Sequence, residues 1–286
     1  MFILVQPIFN IALDGVDIFN DSTMSPDIFI NIMQLIMYHI YAVMCYDKSK
    51  AVLAADKKAV VFMSNIIMEA KDIKRSFPMG GQSFHALKGI SLCVKKNRLT
   101  ILKGRSGSGK TTLMNILGTL DYPSEGDVIM DGTSITKISE SRRDELRRLE
   151  MGFVFQSVAL VSMMTAYENV EFILRLSGYP PKERRQRAEA CLERVGLAAR
   201  MHHLPSELSG GEQQRVAIAR AIAHKPKIIF ADEPTAELDT NTGLQVVKIF
   251  KDLILHENAT VLMTTHDSGL MDIADKVYEL VDGEIV

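Results

Sequence analysis

Gly104, Arg105, Ser106, Gly107, Ser108, Gly109, Lys110, Thr111 and Thr112 follow one another in the order G-x-x-x-x-G-K-[ST], a spacing suited to a polyphosphate. Glycines let backbone N–H groups close on phosphate oxygens, a lysine reaches the outer phosphates, and the hydroxyl beside it is a ligand for Mg²⁺. On this pattern Lys110 contacts the β- and γ-phosphates of a nucleotide and Thr111 takes the cation. The N–H groups of residues 107–112 line a nest at a helix N-terminus. Further on, Lys227-Ile228-Ile229-Phe230-Ala231 ends in two carboxylates, Asp232 and Glu233. Asp232 is expected to orient Mg²⁺ through water. Pro234 follows Glu233 and is expected to hold its backbone extended, with the carboxylate just beyond the strand end beside an attacking water. Glu233 is therefore the expected general base, capping of the next helix being the structural alternative.

These groups need a particular scaffold. Leu99 to Leu102 is a short apolar strand feeding the glycine loop, and Thr111 to Leu120 reads as the helix after it, with Gly118 too far in to be a clean cap. Strands are also predicted at Ile66 to Ala70, Leu87 to Val94, Met151 to Phe155, Ile228 to Ala231 and Thr260 to Thr264. The later ones alternate with helical segments, which favours a parallel sheet covered on both faces, with ligands at the carboxyl ends of its strands. Between Tyr167 and Leu204 the pattern is helical and charged. Pro181 opens one helix and Gly196 closes it. Its basic run, Lys182 to Arg187, reads as a solvated face because Glu183, Glu189 and Glu193 are interleaved with it.

A second motif narrows the reading. Leu208-Ser209-Gly210-Gly211-Glu212-Gln213, continuing Gln214-Arg215-Val216-Ala217-Ile218-Ala219-Arg220-Ala221, resembles the signature sequence of the ATP-binding cassette family. Gly210 and Gly211 leave N–H groups exposed at the start of a helix predicted over Glu212 to Ala223, with the Ser209 hydroxyl beside them, which makes an anion site. The resemblance covers roughly residues 68–286. It implies an α/β P-loop NTPase with a RecA-like core, an antiparallel β subdomain and an α-helical signature subdomain at about residues 157–222. It implies ATP and Mg²⁺ as ligands and ATP hydrolysis as the activity. By the same resemblance Phe77 stacks on adenine, Gln156 senses Mg²⁺ and water, Asp239 is the aspartate of the loop Glu237-Leu238-Asp239, and His266 is the switch histidine. Ser209, Gly210 and Gly211 then bind the γ-phosphate of ATP held by a second subunit, so that ATP closes a homodimer and hydrolysis opens it.

Within the family, His203 to Ala221, Phe84 to Ile90 and Met114 to Asp121 look most like ATPase subunits of the lipoprotein-release, macrolide-export and antimicrobial-peptide-resistance group. That implies an integral membrane permease as partner and a place on the cytoplasmic face of the cell membrane. An ATPase that regulates a cell-wall or cell-division partner by transmitting force is the alternative. One segment departs from the family: Ser157 to Met164 lacks the Asn and Pro common after the glutamine. It borders the groove where the family docks a membrane-partner helix, and Met163 and Met164 suit either an adaptable apolar contact there or packing within the helical subdomain.

The whole-chain figures exclude other classes. With 33 basic and 35 acidic residues the formal net charge is −2, which gives no footprint for nucleic acid. A chromosome-maintenance ATPase would need a long coiled coil between the two motifs, and a ribosome-acting cassette protein two cassettes. Neither is present in this sequence. The cysteines Cys45, Cys93 and Cys191 are widely spaced and suit a reducing compartment without a zinc site.

Residues 1–62 read differently from the cassette at 63–286. Met1 to Tyr46 has no Lys or Arg, and Ile28 to Tyr46 is 19 residues without a charge, close to the length of a membrane span. Lys48, Lys50, Lys57 and Lys58 follow it, yet Asn31, Gln34 and His39 interrupt it. A membrane span, a helix packed on a partner or on the cassette, and translation from a start upstream of the true one at Met63 or Met68 are the three readings, the last preferred.

Overall fold

The computed structural model describes residues 65–79 and 82–286. The three readings of residues 1–62, the domain boundary drawn there, and Cys45 lie outside the described residues.

Two long strands, β1 (Ile66–Met79) and β2 (Gln82–Lys95), pair antiparallel, with Phe77 opposite Phe84. Both run well beyond the predicted Ile66 to Ala70 and Leu87 to Val94. Register shifts between Ala70 and Ile73 and between Arg75 and Ser76 interrupt the alternation that sequence reading depends on, while the pairing continues past them. Two further strands, β4 (Glu125–Met130) and β5 (Thr133–Ser134), complete a four-stranded sheet in the order β2-β1-β4-β5.

The second sheet contains β3 (Leu99–Lys103), β6 (Met151–Val154), β7 (Ile228–Ala231), β8 (Val261–Thr265), β9 (Lys276–Val281) and β10 (Glu284–Ile285), ordered β10-β9-β3-β8-β7-β6. Every pairing is parallel except that of β10 with β9. Side chains alternate between its faces. Leu99, Ile101, Ile229, Ala231, Val261 and Met263 enter one core, and Leu102, Ile228, Phe230 and Leu262 the other. Burial on both faces is why these strands read as continuous apolar runs.

Helices cover the sheet. The glycine loop leads into α1 (Lys110–Leu117), and α2 (Glu140–Leu149) precedes β6. Between β6 and β7 lie α3 (Ala166–Leu176), α4 (Pro181–Arg194) and α5 (Gly210–Ile222), and α6 (Thr240–Glu257) joins β7 to β8. Pro181 is the first residue of α4, and Gly196, at φ 75°, follows its end, the expected proline-start, glycine-stop arrangement. The first core lies under α3 to α6, and the second joins α1 to the four-stranded sheet.

The predicted helix end at Leu120 is corrected: α1 stops at Leu117 and Gly118 is its C-cap. A Cβ on Gly118 would lie 2.6 Å from the Phe153 ring. Glycine is therefore required by the close approach of the helix end to β6, and the chain then turns through Thr119 at φ 58°.

Candidate functional site

The carboxyl ends of β3, β7 and β8 converge, the position at which open α/β sheets bind ligands. After β3, Gly109 sits at φ 103° as the N-cap of α1, with no side-chain cap and no acidic residue in the first turn. A Cβ there would meet the Ala86 carbonyl oxygen and Leu87 Cδ2, each at 2.8 Å. Glycine thus satisfies both the left-handed backbone and the packing of β2 against the loop. The uncapped N–H groups at the start of α1 need an acceptor, and an anion supplies one.

Lys110 is 5% exposed, and its Nζ donates to the carbonyls of Gly104 at 2.8 Å and Arg105 at 3.1 Å. It also lies 3.3 Å from Glu233 Oε1. Glu233 Oε2 is 3.1 Å from Nδ1 of the exposed His266. Lys110, at the start of α1, and His266, just beyond β8, therefore meet on one carboxylate, that of Glu233 just beyond β7. Ser108, 5% exposed, has an Oγ without a partner among the described residues, and Arg105, Ser106 and Gly107 form the exposed tip of the loop.

The extended backbone expected at Glu233 is not what the structure contains. Glu233 has φ 44°, left-handed and strained for a residue with a side chain. The conformation is held from both sides: Glu233 N–H donates to Thr264 Oγ1 at 2.8 Å, and Ala236 N–H donates to the Glu233 carbonyl at 3.1 Å. The chain reverses at the strand end instead of continuing, and this turns the carboxylate toward Lys110 and His266.

Thr264, fully buried near the end of β8, escaped the sequence reading. Its hydroxyl accepts from Glu233 N–H and donates to Asp232 Oδ1 at 2.5 Å, so one oxygen sets both acidic residues. A threonine ending an apolar strand just before His266 was the available signal. Asp232 N–H donates to the Val154 carbonyl at 2.9 Å, and Gln156, exposed, follows two residues beyond. Thr111 and Thr112 lie in the first turn of α1. Among the described residues no group of three or more His, Cys, Asp or Glu is gathered as a metal cage. Thr111 carries a hydroxyl and Asp232 a carboxylate, the oxygen donors that Mg²⁺ takes together with substrate phosphates.

The remaining predicted residues lie at the starts of α5 and α6 and on β1. Ser209 caps α5: its Oγ accepts from Glu212 N–H at 3.3 Å and its own N–H donates to Glu212 Oε2 at 2.8 Å. The box uses the N–H groups of Ser209 and Glu212 and leaves those of Gly210 and Gly211 to another acceptor. Asp239 caps α6. The Thr242 hydroxyl, at 2.6 Å, and the Thr242 and Asn241 N–H groups hold its carboxyl below the usual carboxylate range. Asp239 lines two open cavities, one of about 540 Å³ with Glu233 and His266 and one of about 460 Å³ with Ser209, Gly210 and Gly211. Among the described residues no hydrogen bond or ion pair joins Ser209, Gly210 or Gly211 to Lys110 or Glu233. Phe77 stands 37% exposed on β1, with the Arg75 guanidinium 4.5 Å from its ring centroid.

Ser157 to Met164 is tied to α5. Arg220 donates to the carbonyls of Val158 at 3.2 Å and Ala159 at 2.7 Å, and Ala159 has φ 50°. Burial pushes the guanidinium pKa down from its ordinary value. Arg220→Met removes a charged donor from two carbonyls, worth about 1.5 kcal/mol given its partial exposure. In a folded chain of this size that lowers Tm by roughly 3–6 °C, measured by differential scanning calorimetry. An unchanged Tm would mean that Arg220 does not fix the segment.

Comparison with known proteins agrees with this fold. The family model described as ABC transporter matches residues 87–236. An uncharacterized ABC transporter ATP-binding protein of Thermotoga maritima is 43% identical over 220 residues, 77% of this chain and 93% of that protein. The lipoprotein-releasing system ATP-binding protein LolD 2 of Rhodopirellula baltica is 43% identical, covering 76% and 88%. The macrolide export ATP-binding/permease protein MacB of Vibrio parahaemolyticus is 40% identical over 78% of this chain but only 34% of its own length. The solved dimeric structure of the ATP-binding cassette MJ0796 in a post-hydrolysis state bound to ADP and Pi superposes with a TM-score of 0.72 at 38% identity, covering 77% of this chain and 96% of that one. The chain therefore belongs to the ABC transporter family, whose ATP-binding cassettes hydrolyse ATP.

Proposed function

We propose that this chain is the ATP-driven subunit of a membrane export or extraction system, working as a homodimer at the cytoplasmic face of a permease. The observation that carries the reading is the separation of two complementary half-sites within one subunit. Lys110 and His266 meet on the Glu233 carboxylate, whereas the Gly210 and Gly211 N–H groups at the start of α5 border a second cavity that does not include Lys110, Glu233 or His266. A second copy placed head-to-tail brings that N-terminus to the γ-phosphate held by the first.

In this reading the N–H groups of residues 107–112 bind the phosphates, Lys110 neutralises the β- and γ-oxygens, and Phe77 supports the adenine. Mg²⁺ held by Thr111, Asp232 and Gln156 would screen the phosphate charge. Glu233 orients a water and takes its proton as the oxygen attacks the γ-phosphorus, and ADP leaves against Lys110. His266 fixes the Glu233 carboxylate through the contact at Nδ1, and Thr264 holds the backbone that aims it. Hydrolysis removes the phosphate that bridges the subunits, so the dimer opens.

For the membrane partner, the support is the likeness to LolD and MacB and a largely apolar groove of about 530 Å³ lined by Leu120, Phe155, Ala159, Ile173 and Leu176. Met163, 86% exposed, lies on the neighbouring segment. No helix among the described residues is long and apolar enough to cross a membrane. Sedimentation velocity of the full chain is expected to give a monomer without nucleotide and a dimer with ATP when Mg²⁺ is chelated to stop turnover. A monomer under both conditions would contradict the shared site.

A further inference from the structure

We propose that Arg75 is a positioning residue for the nucleotide base, acting through Phe77 and anchored to the helix that carries the phosphate nest. The proposal rests on the reading of Phe77 as the base platform. The Arg75 guanidinium carbon lies 4.5 Å from the Phe77 ring centroid, so one face of the ring is covered by a cation. Phe77 keeps 37% of its surface exposed, which leaves ring surface for a stacking partner. A cation draws π density toward itself. The far face becomes electron-poor and a better partner for an electron-rich purine.

Arg75 is itself held. Its Nη2 donates to Asp121 Oδ1 at 2.9 Å, both side chains being largely buried. That carboxylate oxygen also accepts from the Tyr122 N–H at 2.7 Å, which fixes its direction. Asp121 lies just beyond the C-terminus of α1: its N–H donates to the Asn115 carbonyl at 3.1 Å, and its own carbonyl accepts from Arg143 at 2.9 Å. One short helix therefore bears the phosphate nest at its N-terminus and the anchor of the base platform past its C-terminus. Phe77, Arg75, Asp121 and α1 together fix the spacing between the base and phosphate ends of a bound nucleotide.

The test is isothermal titration of the full chain with ATP and, separately, with inorganic tripolyphosphate, which has no base. Phe77→Ala is expected to weaken ATP binding on the order of 10-fold and Arg75→Ala about 3-fold, with tripolyphosphate unaffected by either. The double variant should bind ATP like Phe77→Ala alone, because Arg75 acts only through the ring. Arg75→Lys, which keeps the charge beside Asp121 but loses the planar stack, should fall between parent and Arg75→Ala. If Phe77→Ala weakens ATP and Arg75→Ala does not, the proposal fails and the base platform stands. If Phe77→Ala leaves ATP binding unchanged, the platform reading fails and the proposal with it. Equal weakening of ATP and tripolyphosphate by Arg75→Ala, or additive effects in the double variant, would mark Arg75 as a general structural residue and overturn it.

Discussion

Glu233→Gln is expected to bind ATP as the parent does and to hydrolyse it slower by on the order of 10² or more, the share of rate that a positioned general base supplies. Glutamine keeps the shape of the side chain and leaves the backbone bond to Thr264 Oγ1 untouched, so the turn at the end of β7 should persist. What it loses is the ability to take a proton from water. Removing the negative charge 3.3 Å from Lys110 Nζ also removes a competitor for that ammonium, so ATP affinity should hold or rise. Steady-state phosphate release together with equilibrium nucleotide binding separates the two effects. Near-normal release would reassign the base, and the next residue to question would be His266.

Much of the candidate half-site was legible in the sequence because its parts are local. Gly104 to Thr112 and the apolar strand before them are contiguous, and the carboxylates Asp232 and Glu233 end a run buried on both faces. The strand order, the register and Thr264 were not local. The hydroxyl that sets Asp232 and Glu233 comes from a strand 32 and 31 positions away along the chain, and no spacing rule links it to them. Pro234 argued for an extended Glu233, but two hydrogen bonds outweigh the preference of a residue before proline, giving φ 44°. Gly118 was misjudged because its reason is the Phe153 ring of a different element. The strand β4 was missed because it opens on Glu125, Gly126 and Asp127, which read as a turn. The helix α2 was missed because only Arg143 and Leu146 are buried along it, too few for an apolar period. The capping box at Ser209 adds that the serine hydroxyl already accepts one helix N–H, so an anion there meets chiefly the N–H groups of Gly210 and Gly211.

The shared site is tested most directly by complementation between two inactive subunits. Lys110→Ala removes the cation proposed to meet the β- and γ-phosphates, and should abolish detectable nucleotide binding at its own loop. Ser209→Arg puts a bulky cation at the N-terminus of α5, disrupts the capping box, and leaves the glycine loop of that chain intact. Each homodimer should therefore be inactive, whereas a heterodimer contains one complete site: the loop of the Ser209→Arg chain facing the helix of the Lys110→Ala chain. ATPase activity measured across a mixing series should rise above both parents and peak near equal amounts. Activity that never exceeds either parent, with ATP-dependent dimers demonstrably formed in the mixture, would contradict a site built from two subunits.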